Sequence, residues 1–350
     1  MPCRQVLRGQ FLPAIFADLS AWGPVCGKDF WETEKRGEEG GMRQVDLRTE
    51  IGEVVLPNPV LAASGCFGAG AELLGVVDPS RLGAVVSKSM SFAPWEGNPA
   101  PRLAPAPGGG MLNAVGLQNP GVEHWAKEEL PRLLSAGARV VASIWGTSVD
   151  EYIATAKRVG VLAEDLVAVE VNVSCPNLES PGEMFAHSPI HTAAVVRAVK
   201  KEVAPLPVWA KLSPNLPSVV EVARAAADAG ADALVLVNTL IGLLLDVERR
   251  VPLLGNGTGG LSGPPLHPIA LRAVYECAQA LPGFPLVGVG GVSRPSHAVA
   301  FFLAGASAVE LGAAHLADPA AGVKLVRSLR RWCRRHKVRT TAELVGTAHF

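Results

Sequence analysis

The sequence predicts an α/β protein whose eight parallel strands close into a (β/α)8 barrel of the TIM-barrel class. Three observations predict it. Strand-like and helix-like runs alternate from Val54 onward. Helix ends recur as Ala136-Gly137-Ala138, Ala229-Gly230-Ala231 and Ala304-Gly305-Ala306, each a glycine cap followed within about two residues by the next strand. Polar residues collect just past the strand ends, where a parallel barrel carries its ligand site. A doubly wound sheet shares the first two signals, because periodicity does not reveal closure.

Each element has its own signal. Residues 42–47 read as a strand start ahead of the barrel. The eight barrel strands are read at 60–64, 84–88, 139–144, 167–173, 207–212, 233–238, 286–290 and 308–311. Each is a short apolar, β-branched run. The first ends in Ser64-Gly65-Cys66-Phe67-Gly68 and the second in Lys88-Ser89. A long insertion then carries Asn113-Ala114-Val115-Gly116-Leu117-Gln118-Asn119-Pro120-Gly121. The fourth strand is an alternating run that stops at Ser174-Cys175-Pro176-Asn177. Pro176 has no N–H for a ladder and pushes Cys175 out of the helical region. Lys211 lies at the end of the fifth strand, Asn238-Thr239 at the sixth, Gly290-Gly291 at the seventh and Gly312-Ala313 at the eighth. Ala-rich segments of helical period, such as 218–229 and 268–280, provide crossovers after seven strands, and 319–337 is the last helix.

Composition narrows the function. The chain of 350 residues is 49% hydrophobic but only 5% aromatic, so its core is Ala, Val and Leu, as in helix-covered parallel sheets. Lys plus Arg equals Asp plus Glu at 32 each, which leaves no basic field for nucleic acid. The one basic run, 327–337, reads as the solvated face of a late helix. The six cysteines, Cys3, Cys26, Cys66, Cys175, Cys277 and Cys333, have no C-x-x-C spacing, so no metal site or iron–sulfur cluster is signalled. Scattered thiols suit a reducing cytoplasm. No apolar run approaches the roughly 18 residues of a membrane span. Residues 1–41 lack periodicity and end in the polar stretch Arg36–Gly41. They are expected to be an extension, either disordered or upstream sequence read in frame before a native start at Met42. Residues 42–350 form one domain.

Three groups carry candidate chemistry. Cys175 is a thiol flanked by carboxamides at a strand end, a plausible base or nucleophile; its other reading is a small buried hydrophobe. Lys88 and Lys211 are costly to bury unless paired with an anion or an electron-rich ligand, so together they suggest an anionic ligand. Gly290-Gly291 and Gly312 occupy the usual phosphate position of this fold.

Three motifs carry a family resemblance. Asn172-Val173-Ser174-Cys175-Pro176-Asn177, the Asn113–Gly121 stretch and Gly259-Gly260-Leu261-Ser262-Gly263-Pro264 resemble the dihydroorotate dehydrogenase family, class 1. The last two look like its NAD-linked type B subgroup, and the match runs from Met42 to Phe350. The resemblance implies FMN at the C-terminal face of the barrel and oxidation of dihydroorotate to orotate in pyrimidine biosynthesis. It implies that Cys175 takes the C5 proton while a hydride passes from C6 to flavin N5. It places substrate against Lys88, Asn113, Val115, Gly116, Leu117, Asn172, Asn177, Asn238 and Thr239. It places FMN against Ser64, Gly65, Lys88, Ser89, Ser143, Asn172, Lys211, Val237, Gly263, Gly290, Gly291, Gly312 and Ala313, with Lys211 beside N1 and O2. Ser143 and Ala313 depart from the family pattern, which often has Asn and Thr there. The implied partner is an iron–sulfur and FAD subunit passing electrons to NAD, in a heterotetramer built on a dimer of this chain in the cytoplasm.

Other readings stay open. One is a stand-alone fumarate-reducing enzyme, another a dihydropyrimidine dehydrogenase-like subunit acting on uracil or thymine. A third is a flavin-binding barrel without catalysis. The stretch Met184–His191 is expected to be either a lid or an ordered surface loop.

Overall fold

The computed structural model describes residues 45–68, 71–174 and 184–349. Eight parallel strands close into a barrel: β1 (Val60–Ala62), β2 (Val85–Val86), β3 (Val140–Ile144), β4 (Ala168–Asn172), β5 (Val208–Leu212), β6 (Ala233–Leu236), β7 (Leu286–Val289) and β8 (Ala308–Leu311). Closure is direct, with Val309 of β8 opposite Val60 of β1, and it rules out the doubly wound sheet. Every strand lies within its expected run. Most stop short of the polar residues that follow, which leave the ladder to face the top of the barrel.

The strands are buried on both faces because helices cover the outside. The helix Val149–Gly160 illustrates the local logic. The Ser148 side chain accepts from the Glu151 N–H at 3.3 Å, Asp150 and Glu151 occupy the first turn, and Lys157 and Arg158 the last. Tyr152, Thr155, Ala156 and Val159 fall on one face and are buried. Gly137, Gly230 and Gly305 all take positive φ, as the Ala-Gly-Ala caps require. In the last helix, Ala321–Arg335, the core takes Leu325, Leu329 and Cys333 while Arg327, Arg331, Arg334 and Arg335 are exposed. The basic run is a solvated helix face. No described helix is long and apolar enough to cross a membrane.

Two expectations are corrected. The crossover between β1 and β2 has no α-helix among the described residues; it is a series of turns and a single 3-10 turn, Pro79–Arg81, capped by Asp78. Gly65 and Gly68 at positive φ and Pro79 break any helical run there. The strand start expected at 42–47 is not a strand over its described part, where Asp46 makes only an isolated bridge to Thr340. The first strands are instead a hairpin, Thr49–Ile51 with Val54–Leu56, turned at Gly52. Its alternation buries Ile51, Val54 and Leu56 in the same cluster as Trp209, Val235 and Val287, so the hairpin plugs the bottom of the barrel. Residues 1–41 lie outside the described residues.

The long insertion builds a second layer over the strand ends. Leu103–Ala106 and Gly110–Asn113 pair as a hairpin, then join Gly259–Ser262 and Leu240–Gly242 in a four-stranded antiparallel sheet. This sheet sets Asn113 opposite Gly260. It thereby brings two of the family-like motifs, far apart in sequence, to one side of the barrel mouth.

Candidate active site

A cavity of about 1180 Å³ opens at the C-terminal ends of the strands. Its wall takes Ser64, Gly65, Lys88 and Ser89 from the ends of β1 and β2, and Asn113, Val115, Gly116 and Leu117 from the insertion. Asn172 and Lys211 come from β4 and β5, and Val237, Asn238 and Thr239 follow β6. Gly263, Gly290, Gly291, Gly312 and Ala313 close the far side. Residues dispersed over 250 positions of sequence thus converge because each sits just past a parallel strand or on the sheet above.

Cys175 and Asn177 lie outside the described residues. Ser174, immediately before Cys175, is on the cavity wall. Met184 and the short turn Phe185–His187 are anchored rather than lid-like: Ala186 N–H donates to Val173 O at 2.9 Å, and the buried Phe185 ring packs edge-on against Tyr152. Pro189 then starts the helix Pro189–Val203.

A hydrogen-bonded chain ties the floor of the cavity to the barrel interior. The Asn172 amide donates to Ser89 Oγ at 3.2 Å, and its Oδ1 accepts from Ser174 N–H at 3.1 Å and from Asn238 Nδ2 at 3.2 Å. Ser89 Oγ is 3.2 Å from Ser64 Oγ and 2.9 Å from Ser143 Oγ. Ser143 Oγ donates to Glu170 Oε1 at 3.1 Å. Ser143 itself is fully buried and does not reach the wall. Its hydroxyl lies behind Ser89, which takes the lining position.

Glu170 and Glu310 escaped the sequence reading. Lys211 Nζ sits 2.9 Å from Glu310 Oε2 and 3.5 Å from both Glu170 oxygens, and all three side chains are buried. The anion facing Lys211 is therefore supplied by the protein itself, which removes Lys211 from the argument for an anionic ligand. Burial alone depresses the Lys211 ammonium, but the carboxylates of Glu170 and Glu310 outweigh it and hold its pKa above the ordinary lysine value. Burial, then repulsion from Glu170, push the Glu310 carboxyl well above the carboxylate range despite the pull of Lys211. Cys66, also on the wall, is pushed up to about 11 by burial, against the pull of Lys211 and Lys88. The signal available in the sequence was a lone Glu inside each of two apolar strands, Val-Glu-Val and Val-Glu-Leu.

Asn119 is a second omission. Its Oδ1 accepts from Ser91 N–H at 3.2 Å and Gly121 N–H at 2.9 Å, while its Nδ2 donates to Leu117 O at 2.9 Å. It holds the turn in which Gly116 and Leu117 both adopt positive φ, at 70° and 60°. That conformation is uncommon for Leu and marks a residue held against its preference. Asn119→Ala is expected to cost about 3 kcal/mol in urea unfolding, since two buried N–H groups lose their acceptor at about 1–3 kcal/mol each. Unchanged stability would show that the turn holds without it.

The family model described as dihydroorotate dehydrogenase matches residues 46–332. The chain is 43% identical over 305 residues to a protein of Citrifermentans bemidjiense named dihydroorotate dehydrogenase B (NAD(+)), catalytic subunit, covering 87% of this chain and 99% of that one. It is 46% identical over 306 residues to the protein of the same name from Desulforudis audaxviator, covering 87% and 98%. Among solved structures, the Eimeria tenella DHODH in complex with ferulenol superposes with a TM-score of 0.71 at 21% identity, covering 87% of this chain and 89% of that one, a likeness of fold.

Proposed function

The chain belongs to the dihydroorotate dehydrogenase family, whose enzymes are oxidoreductases, and from that premise we propose that it oxidises dihydroorotate to orotate in pyrimidine biosynthesis, with FMN as its cofactor. The observation that carries the reading is one cavity wall on which the cation of Lys88 is joined by Asn113, Asn172, Asn238 and Thr239. A carboxylate needs the cation. A pyrimidinedione ring offers alternating C=O and N–H groups, and carboxamides pair with both.

The cavity suits FMN. At about 1180 Å³ it exceeds the roughly 300–1,000 Å³ of a single drug-sized ligand pocket, leaving space for a flavin and a small substrate together. On its far side the glycine loops meet backbone to backbone: a Cβ at Gly291 would lie 2.8 Å from Gly263 O. Such a side-chain-free surface lets backbone N–H groups approach a phosphate. Bound FMN supplies the acceptor for a hydride. Gly263, Gly290, Gly291, Gly312 and Ala313 would hold its phosphate, and Ser64, Gly65, Ser89 and Val237 its body. Ala313 offers no hydroxyl there, a deficit of about 1 kcal/mol relative to a chain with one. Lys211 would bring positive charge to the edge of the flavin that becomes electron-rich.

In the reaction, Lys88 binds the substrate carboxylate, and Asn113, Asn172, Asn177, Asn238 and Thr239 orient the ring, with Val115, Gly116 and Leu117 against it. Cys175 removes the C5 proton. The relatives' printed name, catalytic subunit of an NAD-linked enzyme, supports a separate electron-transfer partner for this chain. So does the cysteine spacing, which provides no second redox centre in 350 residues. We place the protein in the cytoplasm as two catalytic and two iron–sulfur/FAD subunits around a dimer of this chain.

The test is anaerobic mixing of the purified yellow protein with dihydroorotate, following the visible flavin absorbance. Bleaching is expected. Bleaching with dihydrouracil alone would transfer the activity to neutral pyrimidines, and none with either would leave a flavin-binding barrel. Offering the reduced protein NAD with and without the partner, and fumarate, identifies the acceptor.

A further inference from the structure

Glu310, Glu170 and Lys211 form a cluster of one cation and two carboxyl groups sealed at the heart of the barrel. Both Glu side chains are completely buried, and Lys211 reaches the cavity with only 5% of its surface exposed. The hydrogen bonds are unevenly shared. Glu170 takes Lys211 at both oxygens and Ser143 at Oε1. Glu310 takes Lys211 at Oε2; among the described residues no donor reaches its Oε1, and the Glu170 carboxyl is close enough to share a hydrogen bond when one of the two is protonated.

With all three groups charged, the cluster would carry a net charge of −1 in a low-dielectric interior. Such an uncompensated charge is among the costliest things a fold can bury. Among the described residues, the other titratable group facing it is Cys66, past the end of β1, which in turn faces Lys88, past the end of β2. Burial keeps the Cys66 thiol neutral, and Lys88 belongs to the cavity wall above. An ionised carboxylate oxygen without a donor is a much worse defect than the same atom in a neutral carboxyl.

We propose that Glu310 is a neutral carboxylic acid in the resting protein and acts as a positioning residue for Lys211, holding the cluster at zero net charge beneath the cavity. Its role follows from what lies above it. Electrons entering a flavin beside Lys211 add negative charge there, and a neutral cluster leaves the ammonium free of a net anion at its back. Ionisation of Glu310, with its proton released to solvent, would put −1 below the pocket and oppose reduction. The raised Glu310 carboxyl agrees with this assignment. The charge state rests on the geometry alone; its effect on reduction rests on the FMN reading.

Infrared difference spectroscopy of the full-length protein tests the charge state without flavin or substrate. A protonated-carboxyl C=O band at neutral pH is expected, lost in alkali and lost in Glu310→Gln. In Ser143→Ala the band should persist, because Ser143 bonds Glu170 and not Glu310. Absence of the band in wild type, its persistence in Glu310→Gln, or its loss in Ser143→Ala would each overturn the assignment. The second readout is the midpoint potential of the bound flavin against pH. Wild type should steepen where Glu310 titrates, and Glu310→Gln should lose that break. A break retained in Glu310→Gln would overturn the role. A protein that shows the band but fails to bleach with dihydroorotate would sink the proposed reaction and leave the charge assignment standing.

Discussion

Lys211→Met is expected to give a protein destabilised by about 3–5 kcal/mol at neutral pH, the usual result of removing one partner from a buried ionic group. The thioether is apolar and of comparable length, so packing changes little and the loss is electrostatic. Glu310 and Glu170 are then left facing each other with no cation among the groups that bond them. The sign of the pH dependence follows. Burial and Glu170 already raise the Glu310 carboxyl, and removing the attraction of Lys211 raises it further. An acid whose folded pKa lies above its unfolded value of about 4.3 binds more protons folded than unfolded. Its contribution is therefore present below that value and is lost as pH rises through the folded pKa. Urea unfolding of Lys211→Met should show stability recovering towards acid. Adding Glu310→Gln should restore part of the loss at neutral pH, because the amide is neutral folded and unfolded and no proton has to be taken up on folding. A flat pH profile, or no rescue in the double variant, would mean that the cluster is not organised around the lysine.

The barrel was legible because its signals are local. Each strand is a short apolar run, and three helix ends repeat an Ala-Gly-Ala cap, so the order of elements follows from short windows of sequence. Closure was inferred from the strand count and the polar strand ends rather than from any local signal, since Val309 against Val60 is a contact between residues about 250 apart. The first crossover misled because a connection of helical length was taken as a helix, although Gly65, Gly68 and Pro79 break it. The bottom hairpin was missed because its two strands are only three residues each.

The cavity residues were legible for a different reason. In a parallel barrel every strand end faces the same mouth, so position along the strand is enough to place Lys88, Asn172 and Asn238 there. What lies behind them depends on partners across strands. Ser143 against Glu170 and Lys211 against Glu310 are pairings that only the closed barrel creates. That is why Lys211 pointed to an external anion from sequence and meets an internal one in the fold.

Cys175→Ala should slow flavin bleaching by dihydroorotate by about 10²–10⁴-fold, the usual contribution of a positioned general base. Bound flavin and unfolding stability should stay near wild type. The residue lies outside the described residues, so the expectation rests on what brackets it. β4 ends at Asn172, whose amide is fixed by Ser89, Ser174 and Asn238, and Ser174 is on the cavity wall. A thiol of ordinary pKa, about 8.5, carries a small thiolate fraction at neutral pH. The bleaching rate in wild type should therefore rise with pH through that range and level off above it. Cys175→Ser replaces the thiol by a far weaker acid, so its rate should be low at neutral pH and keep rising in alkali, where wild type has reached its plateau. Cys66, a thiol on the cavity wall, is held at about 11 by burial and offers no thiolate in that range. Its titration would displace the plateau far into alkali. An alkaline shift of the profile in Cys175→Ser, with the wild-type inflection near the ordinary thiol value, separates the two cysteines. Bleaching of Cys175→Ala at the wild-type rate would remove Cys175 as the base.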